Sequence, residues 1–390
     1  MIGAMHHGIK KLLLLGAGHA HVQVLARLAG QHPADLDVTV LTPYDFQTYS
    51  GMTPGFVSGR YTESECRIPL GPLFKAAGAR WVAGRCIGLD AGNRRVKVAS
   101  HTGNSSGAPT ELSYDLLSID TGAVMDRSRL EATMPGATEH ALMVRPIEAF
   151  ARLWPEVVGL ARQRAVSVAV IGAGAAGVEL MLAVRQRLQA EGVPGSRFTL
   201  VTGGDEAGSN YPPGVQRRIL RQLKRHGVTV LREACVGIES DRLHLANGAT
   251  LACDVPILAI GTHAPAWLQD SGLALSDTGH VLVNPFQQST SHPEVFAAGD
   301  VSSRADRPHP RSGVYAVRAG PPLADNLLAA HRGLPLKPHN PPANTLNLLS
   351  CGAGHAIASW GPLHAEGAWA WRWKDHIDRA FMARYTLTTP

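Results

Sequence analysis

Residues 166–177 read Val-Ser-Val-Ala-Val-Ile-Gly-Ala-Gly-Ala-Ala-Gly, and residues 11–21 read Lys-Leu-Leu-Leu-Leu-Gly-Ala-Gly-His-Ala-His. Each begins as an apolar run of strand length and breaks at a glycine-rich turn. Gly172, Gly174 and Gly177 keep GxGxxG spacing; Gly16 and Gly18 keep its first two positions, with His21 at the third. The spacing has a mechanical basis. The first glycine permits a tight turn, the second lets backbone approach a pyrophosphate, and the third lets helix pack on strand. The helix N-terminus then faces the phosphates. One such match is weak evidence in a glycine-rich chain. Two matches, each followed about 25 residues on by a second strand (Val38–Leu41 and Phe198–Val201), predict two βαβ nucleotide folds. His21 is read as an imidazole filling a wider gap between helix and strand.

Working outward, the two turns open helices that run to about Ala29 and Ala190. Arg80–Asp115 reads as short strands with turns at Gly92-Asn93 and Gly103-Asn104 and a loop tip at 105–109. Tyr114–Gly122 is a buried strand ending at a glycine, and Asp254–Gly261 echoes it. Helices are expected at Pro146–Arg164, Pro213–Arg225 and Gly313–His331, a strand at Val228–Leu231, and a hairpin at Asn247-Gly248. Val295–Asp300 (VFAAGD) is a further strand end, and a Pro-rich linker, Pro335–Pro342, precedes the tail. In the tail, the alternation Trp369-Ala-Trp371-Arg-Trp373-Lys predicts a strand with one aromatic face, followed by a helix over Asp375–Tyr385. The fold class is α/β: two Rossmann-like dinucleotide-binding domains plus a small C-terminal α+β tail.

Composition agrees. The 390 residues suit two to three domains at about 150 residues each. The 41 glycines exceed the usual ~7% and ask for close backbone approaches. Lys and Arg number 37 against 31 acidic residues, a net +6, but they are scattered. Arg217, Arg218, Arg221, Lys224 and Arg225 recur at helical spacing and read as a solvated helix face, so nucleic acid is not an expected partner. The five cysteines lack any CxxC or CxxxxC pairing, which excludes a local metal knuckle or redox dithiol and suits a reducing cytoplasm. No apolar run reaches the ~20 residues of a membrane span. Residues 1–11 do not read as a signal peptide, and His6-His7 reads as a frayed end rather than a metal site.

In chain order, Gly16–His21, Asp120-Thr121-Gly122, Gly172–Gly177, Ile260-Gly261-Thr262 and Pro293–Asp300 resemble the two-dinucleotide-binding flavoproteins, the pyridine nucleotide-disulfide oxidoreductase superfamily. The resemblance extends to about residue 330. It implies FAD on a domain formed by 1–135 and 266–335, NADH or NADPH on an inserted domain 136–265, and a C-terminal region 336–390. The FAD residues it implies are Gly16, Ala17, Gly18, His19, Ala20, Thr42, Pro43, Cys86, Thr121, Gly122, Gly299, Asp300, Val301 and Gly313. Those implied for NAD(P) are Gly172, Gly174, Ala175, Gly177, Glu179, Thr202 and Gly261. Glu179 resembles the acid that contacts the nicotinamide amide in type II NADH dehydrogenases, and is the one catalytic candidate. No metal site is expected.

Without a CxxxxC the chain is unlike the disulfide reductases. It is similar to type II NADH dehydrogenases and sulfide:quinone reductases, and most resembles the flavoprotein module fused ahead of selenophosphate synthetases. That last likeness rests on Gly18–Val22, Tyr49–Gly55, Ser312–Arg318 and Trp369–Arg372. The implied activity is an FAD-dependent NAD(P)H dehydrogenase giving electrons to a quinone or another small diffusible acceptor. Alternatives are a sulfur or selenium compound, a protein acceptor, or a non-enzymatic flavin redox sensor. Two departures bear on the acceptor. Gly313-Val314 stands where type II dehydrogenases carry Ala-Gln, and Cys351 alone stands where sulfide:quinone reductases need two cysteines. Thr42 and Thr202 end the second strands where an acid would bond a ribose, so the nucleotide preference stays open. Arg311 is expected near the flavin edge, and the loop Tyr44–Gly55 over the flavin. The Trp/Arg tail has two readings: a cover for the flavin domain or a homodimer partner, and a peripheral contact with the inner face of the membrane.

Overall fold

The structure is a computed structural model that describes residues 9–100 and 110–387. The expected turn at Gly103-Asn104, the loop tip at 105–109 and the His6-His7 pair lie outside the described residues.

The chain opens with strand β1 (Lys10–Leu15), helix α1 (His19–Gln31) and strand β2 (Leu36–Thr42). Strands β3 (Ala79–Asp90), β4 (Arg95–Ser100), β5 (Thr110–Ser113) and β6 (Leu116–Ile119) follow. Next come β7 (Leu142–Met143), α2 (Ile147–Gln163), β8 (Ser167–Ile171), α3 (Ala175–Glu191), β9 (Arg197–Val201), α4 (Pro213–Arg225), β10 (Thr229–Leu231) and β11 (Val255–Leu258). The last elements are β12 (Val295–Ala297), α5 (Gly313–His331), β13 (Leu346–Ser350), β14 (Ala356–Trp360), β15 (Leu363–Gly367) and α6 (Ala368–Tyr385).

Two parallel sheets carry the fold. The larger has the order β12-β6-β1-β2-β3-β4-β5, parallel from β12 to β3 and antiparallel beyond. The smaller, β10-β9-β8-β11-β7, is parallel throughout. Every strand of the smaller sheet falls in the chain between β6 and β12 of the larger one. The Leu12–Leu15 run explains why β1 sits centrally: a strand covered on both faces must be apolar at every position. Leu12 and Leu14 pack under α1 and α5, while Leu13 and Leu15 face the opposite core. Val168 and Val170 of β8 pack against α2, α3 and α4.

Helices α1 and α5 approach closely because Gly320 removes a side chain: a Cβ there would lie 2.3 Å from the Gln23 amide nitrogen. Pro321 lacks an N–H, so the Val317 carbonyl loses its helical donor. Gln23 of α1 replaces that donor, with Nε2 donating to Val317 O at 2.7 Å and to His19 O at 3.0 Å. Tyr385 of α6 donates its hydroxyl to Gln23 Oε1. One buried amide therefore ties three helices.

The tail is an antiparallel meander, β13-β14-β15, followed by α6. The strand expected over Trp369–Lys374 is instead the start of α6. Alternation over six residues also fits a helix whose inward positions are Ala370, Lys374 and Asp378, four apart, with Trp369 and Trp373 together on the outside. The short strands expected across Arg80–Asp115 begin as one twelve-residue strand, β3. The α4 cations are not all solvated. Arg218 and Arg221 both pair with Glu366 of β15, fastening the tail to the second sheet's helices.

Gln23→Ala should lower unfolding free energy by about 1–3 kcal/mol, the cost of leaving a buried carbonyl unpaired. Urea unfolding followed by far-ultraviolet circular dichroism measures it; a loss below about 0.5 kcal/mol, the range of an ordinary surface change, would show that Val317 finds another donor.

Candidate functional site

At the end of β1 the chain turns at Gly16, whose φ of +82° and whose closeness to Asp120 O (2.5 Å for a built Cβ) both demand glycine. Gly18 is extended, so its requirement is spatial: a Cβ would lie 2.7 Å from the Asp120 carboxyl. The amides of Ala20 and His21, in the first turn of α1, donate to Asp120 Oδ2 at 2.9 Å each. The His21 ring is fully buried, with Nδ1 2.6 Å from Gly16 O and Nε2 2.8 Å from Ser118 Oγ. Since a carbonyl only accepts, Nδ1 carries the proton and Nε2 accepts from the serine. Burial lowers this histidine to about 4, so it is neutral, and it fills the helix–strand gap as its position suggested.

Around this turn the structure gathers most of the first set of sequence candidates. Gly299 (φ +71°) brings Asp300 beside Asp120, and Arg145 reaches Asp300 at 3.4 Å. His19 places Nε2 3.3 Å from Ser50 Oγ, and a Cβ on Gly313 at the start of α5 would meet the same hydroxyl. Gly122 opens onto free space. A cavity of about 160 Å³ lies beside Gly299 and Asp300, bounded by Arg311, Ser312 and Tyr315. Thr42 ends β2 next to β1, its carbonyl accepting from Trp81 Nε1. Cys86 lies farther along β3, half-buried against the core, with its thiol donating to Gly88 O and pushed up to about 12 by burial.

The second turn has the same frame with one difference. Gly172 (φ +134°) and Gly177 are required by contact, since a Cβ would meet Ala259 O at 2.3 Å and Gly172 O at 2.0 Å respectively. Over Gly174, by contrast, a Cβ would meet nothing within 4 Å, and no side chain caps α3. The helix N-terminus is open to an anion. Thr202 Oγ1 donates to Asp205 O at 2.6 Å, and Glu206 pairs with Arg232 from the end of β10.

One turn into α3, Glu179 accepts from the Ser350 amide at 2.7 Å. Burial pushes it up to about 7, opposed by Lys374. Lys374 donates to Gly51 O at 2.7 Å and to Asp378 Oδ2 at 2.8 Å; Tyr49 in turn hydrogen-bonds Asp378, which burial raises. Tyr49 stacks on Phe381 at 4.6 Å and lies 5.3 Å from the His19 ring. Thus α6 links the Tyr44–Gly55 stretch beside the first turn to Glu179 behind the second. Tyr49 belongs to the Tyr44–Gly55 stretch expected over the flavin; Ser350, Lys374 and Asp378 were not singled out from sequence, since only a helical register for Trp369–Tyr385 would have put Lys374 and Asp378 on one face.

Two glycine-turn cradles on interleaved parallel sheets are the deciding observation, and a family model described as pyridine nucleotide-disulphide oxidoreductase matches residues 10–320. The chain belongs to that family. An NADH dehydrogenase-like protein of Mycobacterium tuberculosis is 28% identical over 256 residues, covering 63% of this chain and 61% of that one. The match thus spans about three fifths of that relative's length. The fold is shared with sulfide:quinone oxidoreductase from Aquifex aeolicus (TM-score 0.77, 16% identity, 97% of this chain and 91% of that one). It is shared equally with NDH2 from Plasmodium falciparum in complex with NADH (TM-score 0.77, 12% identity, 95% and 98%). FAD and NADH or NADPH are the cofactors of the family, and the residues fit them: two helix N-termini behind glycines, with open space at Gly122 and Gly174.

Glu179 yields a test independent of turnover. Its folded-state value, about 7, lies above its ordinary 4.5, so the folded protein binds more protons than the unfolded chain between those values. Stability from this group is therefore lost as pH rises through that window. The melting temperature of Glu179→Gln relative to the native protein should climb from pH 4.5 to 7 and then level off; a difference independent of pH would contradict it.

Proposed function

We propose that this chain is an FAD-dependent NAD(P)H dehydrogenase that passes electrons to a quinone or another small diffusible acceptor. FAD takes the first cradle, in a domain built from 1–135 and 266–335, and the nicotinamide nucleotide takes the second, in 136–265. The observation that carries this is the pair of cradles with Glu179 between them, one turn behind the open N-terminus of α3. The cofactors supply hydride transfer from nicotinamide to flavin and electron release to the acceptor. The chain supplies position. Gly174, Ala175 and Gly177 would present amides to a pyrophosphate, Glu179 would orient the nicotinamide amide, and Asp300 would hold the ribityl chain. The N-terminus of α5 at Gly313 would favour negative charge on a flavin bound beside it.

A quinone is favoured over a sulfur or selenium acceptor by the state of the cysteines. Cys351 is buried beside Glu179, and burial pushes its thiol far above the ordinary range, so it offers no thiolate. The similarity to an NADH dehydrogenase-like protein supports the dehydrogenase half of the reading. No helix among the described residues is long and apolar enough to cross a membrane. The outer face of the tail nevertheless exposes Trp360, Leu363, Trp369, Trp373 and Ile377, with Arg372 among them. Indole beside guanidinium suits headgroup depth, and we assign this face to peripheral attachment, where a lipophilic quinone is reached.

Anaerobic titration of the purified protein with NADH and with NADPH, following flavin absorbance, tests the central reading. One nucleotide should bleach the flavin stoichiometrically, and a short-chain quinone should restore it. A bound flavin that neither nucleotide reduces would refute the dehydrogenase. For the tail, the double change Trp369→Ser and Trp373→Ser should abolish co-sedimentation with anionic phospholipid vesicles while leaving reduction by the nucleotide unchanged. Equal sedimentation of both proteins would remove the membrane assignment.

A further inference from the structure

The two cradles differ at one point: the first already contains an anion belonging to the chain. Asp120 Oδ2 takes two of the first three amides of α1, at 2.9 Å from Ala20 N and 2.9 Å from His21 N. Its carboxyl is clamped between glycines, with built Cβ atoms 2.7 Å away at Gly18 and 2.9 Å away at Gly299, and it is 3% exposed. At Gly174 in the second cradle the same space is empty to 4 Å. A pyrophosphate arriving at α1 therefore meets a fixed carboxyl group where the other cradle offers only amides. A carboxylate and a phosphate competing for the same amides in a water-poor site would repel strongly. A proton removes the conflict. A neutral carboxyl keeps both amide bonds on Oδ2 and directs an O–H from Oδ1 to a phosphate oxygen, a charge-assisted bond.

We propose that Asp120 is a positioning residue for the dinucleotide in the first cradle, binding it as the neutral acid, so that FAD and one solvent proton bind together. The proposal rests on the reading that FAD occupies that cradle. Burial raises Asp120 to about 7, with Asp300 adding to the rise and the two amides opposing it, so near neutrality the free site is already divided between its two forms. The charged group facing it is Asp300, with its partner Arg145 and with Arg311 beyond; the His21 ring turns to Gly16 and Ser118 and the His19 ring to Ser50. Both histidines are lowered to about 4 and are neutral throughout the range in which Asp120 changes.

The test is calorimetric titration of FAD into the full-length protein stripped of flavin, in two buffers of different ionisation enthalpy. At about pH 8 the native protein should take up close to one proton per FAD, and Kd should rise about tenfold per pH unit above about 7 while staying flat below it. Asp120→Asn, which keeps the amide bonds and a donor, should take up none and show a Kd independent of pH. A native protein with no proton uptake and a pH-independent Kd overturns the proposal, as does uptake that persists in Asp120→Asn. Should that variant fail to fold, the two-buffer measurement on the native protein decides alone. A protein that binds no FAD at any pH overturns the functional reading, and this proposal with it.

Discussion

The N-terminal turn of α1 is the constraint on which the first half of the molecule depends. Gly16 and Gly18 are fixed by what they touch, the Asp120 carbonyl and carboxyl, rather than by turn geometry alone. That contact brings the ends of β1 and β6 and the Gly299 turn after β12 to one point, and parallel pairing of those three strands does the rest. His21 completes the joint: its ring spans from the Gly16 carbonyl to Ser118 on β6, replacing the close helix–strand contact a third glycine would have allowed. A neutral, buried imidazole with both nitrogens bonded is as rigid a spacer as a core can have.

The two βαβ units, the return of the chain to the first sheet at Val295 and the long helix after Gly313 were legible in the sequence because each is written locally, as an apolar run ending in glycine. The tail was not. Trp369–Lys374 alternates well enough for a strand, and six residues cannot separate a period of 2 from a helix with small and charged residues turned inward. What decides in favour of helix is tertiary: Lys374 and Asp378 must meet Gly51 and Tyr49, and Phe381 must meet Tyr49. These partners lie more than 300 positions away in the chain. Asp120 shows a different limit. Its place in Asp120-Thr121-Gly122 marked a strand end, but its capping of α1, a hundred residues earlier, is visible only when the sheet is assembled.

The polar chain from Glu179 to Tyr49 is the clearest case of function assembled across the fold. Glu179 comes from the second cradle, Ser350 from β13, Lys374 and Asp378 from α6, and Tyr49 from the loop beside the first cradle. Each acid is raised by burial and opposed by Lys374, which favours the charged form of both carboxyl groups. Such an arrangement couples any charge change at one acid to the other.

The asymmetry between the cradles follows from what covers them. The first is roofed by Tyr49 and Phe381, closed on one side by Asp300 with Arg145, and filled at its helix end by Asp120. The second presents bare amides over Gly174. A dinucleotide in the first must fit among these fixed groups. One in the second meets the open N-terminus of α3, where no side chain occupies the space over Gly174. For an enzyme that reduces one bound cofactor with another drawn from solution, retention at the first site and exchange at the second are both required. On the proposed reading, the carboxyl that Gly18 faces and the open space that Gly174 faces match that division.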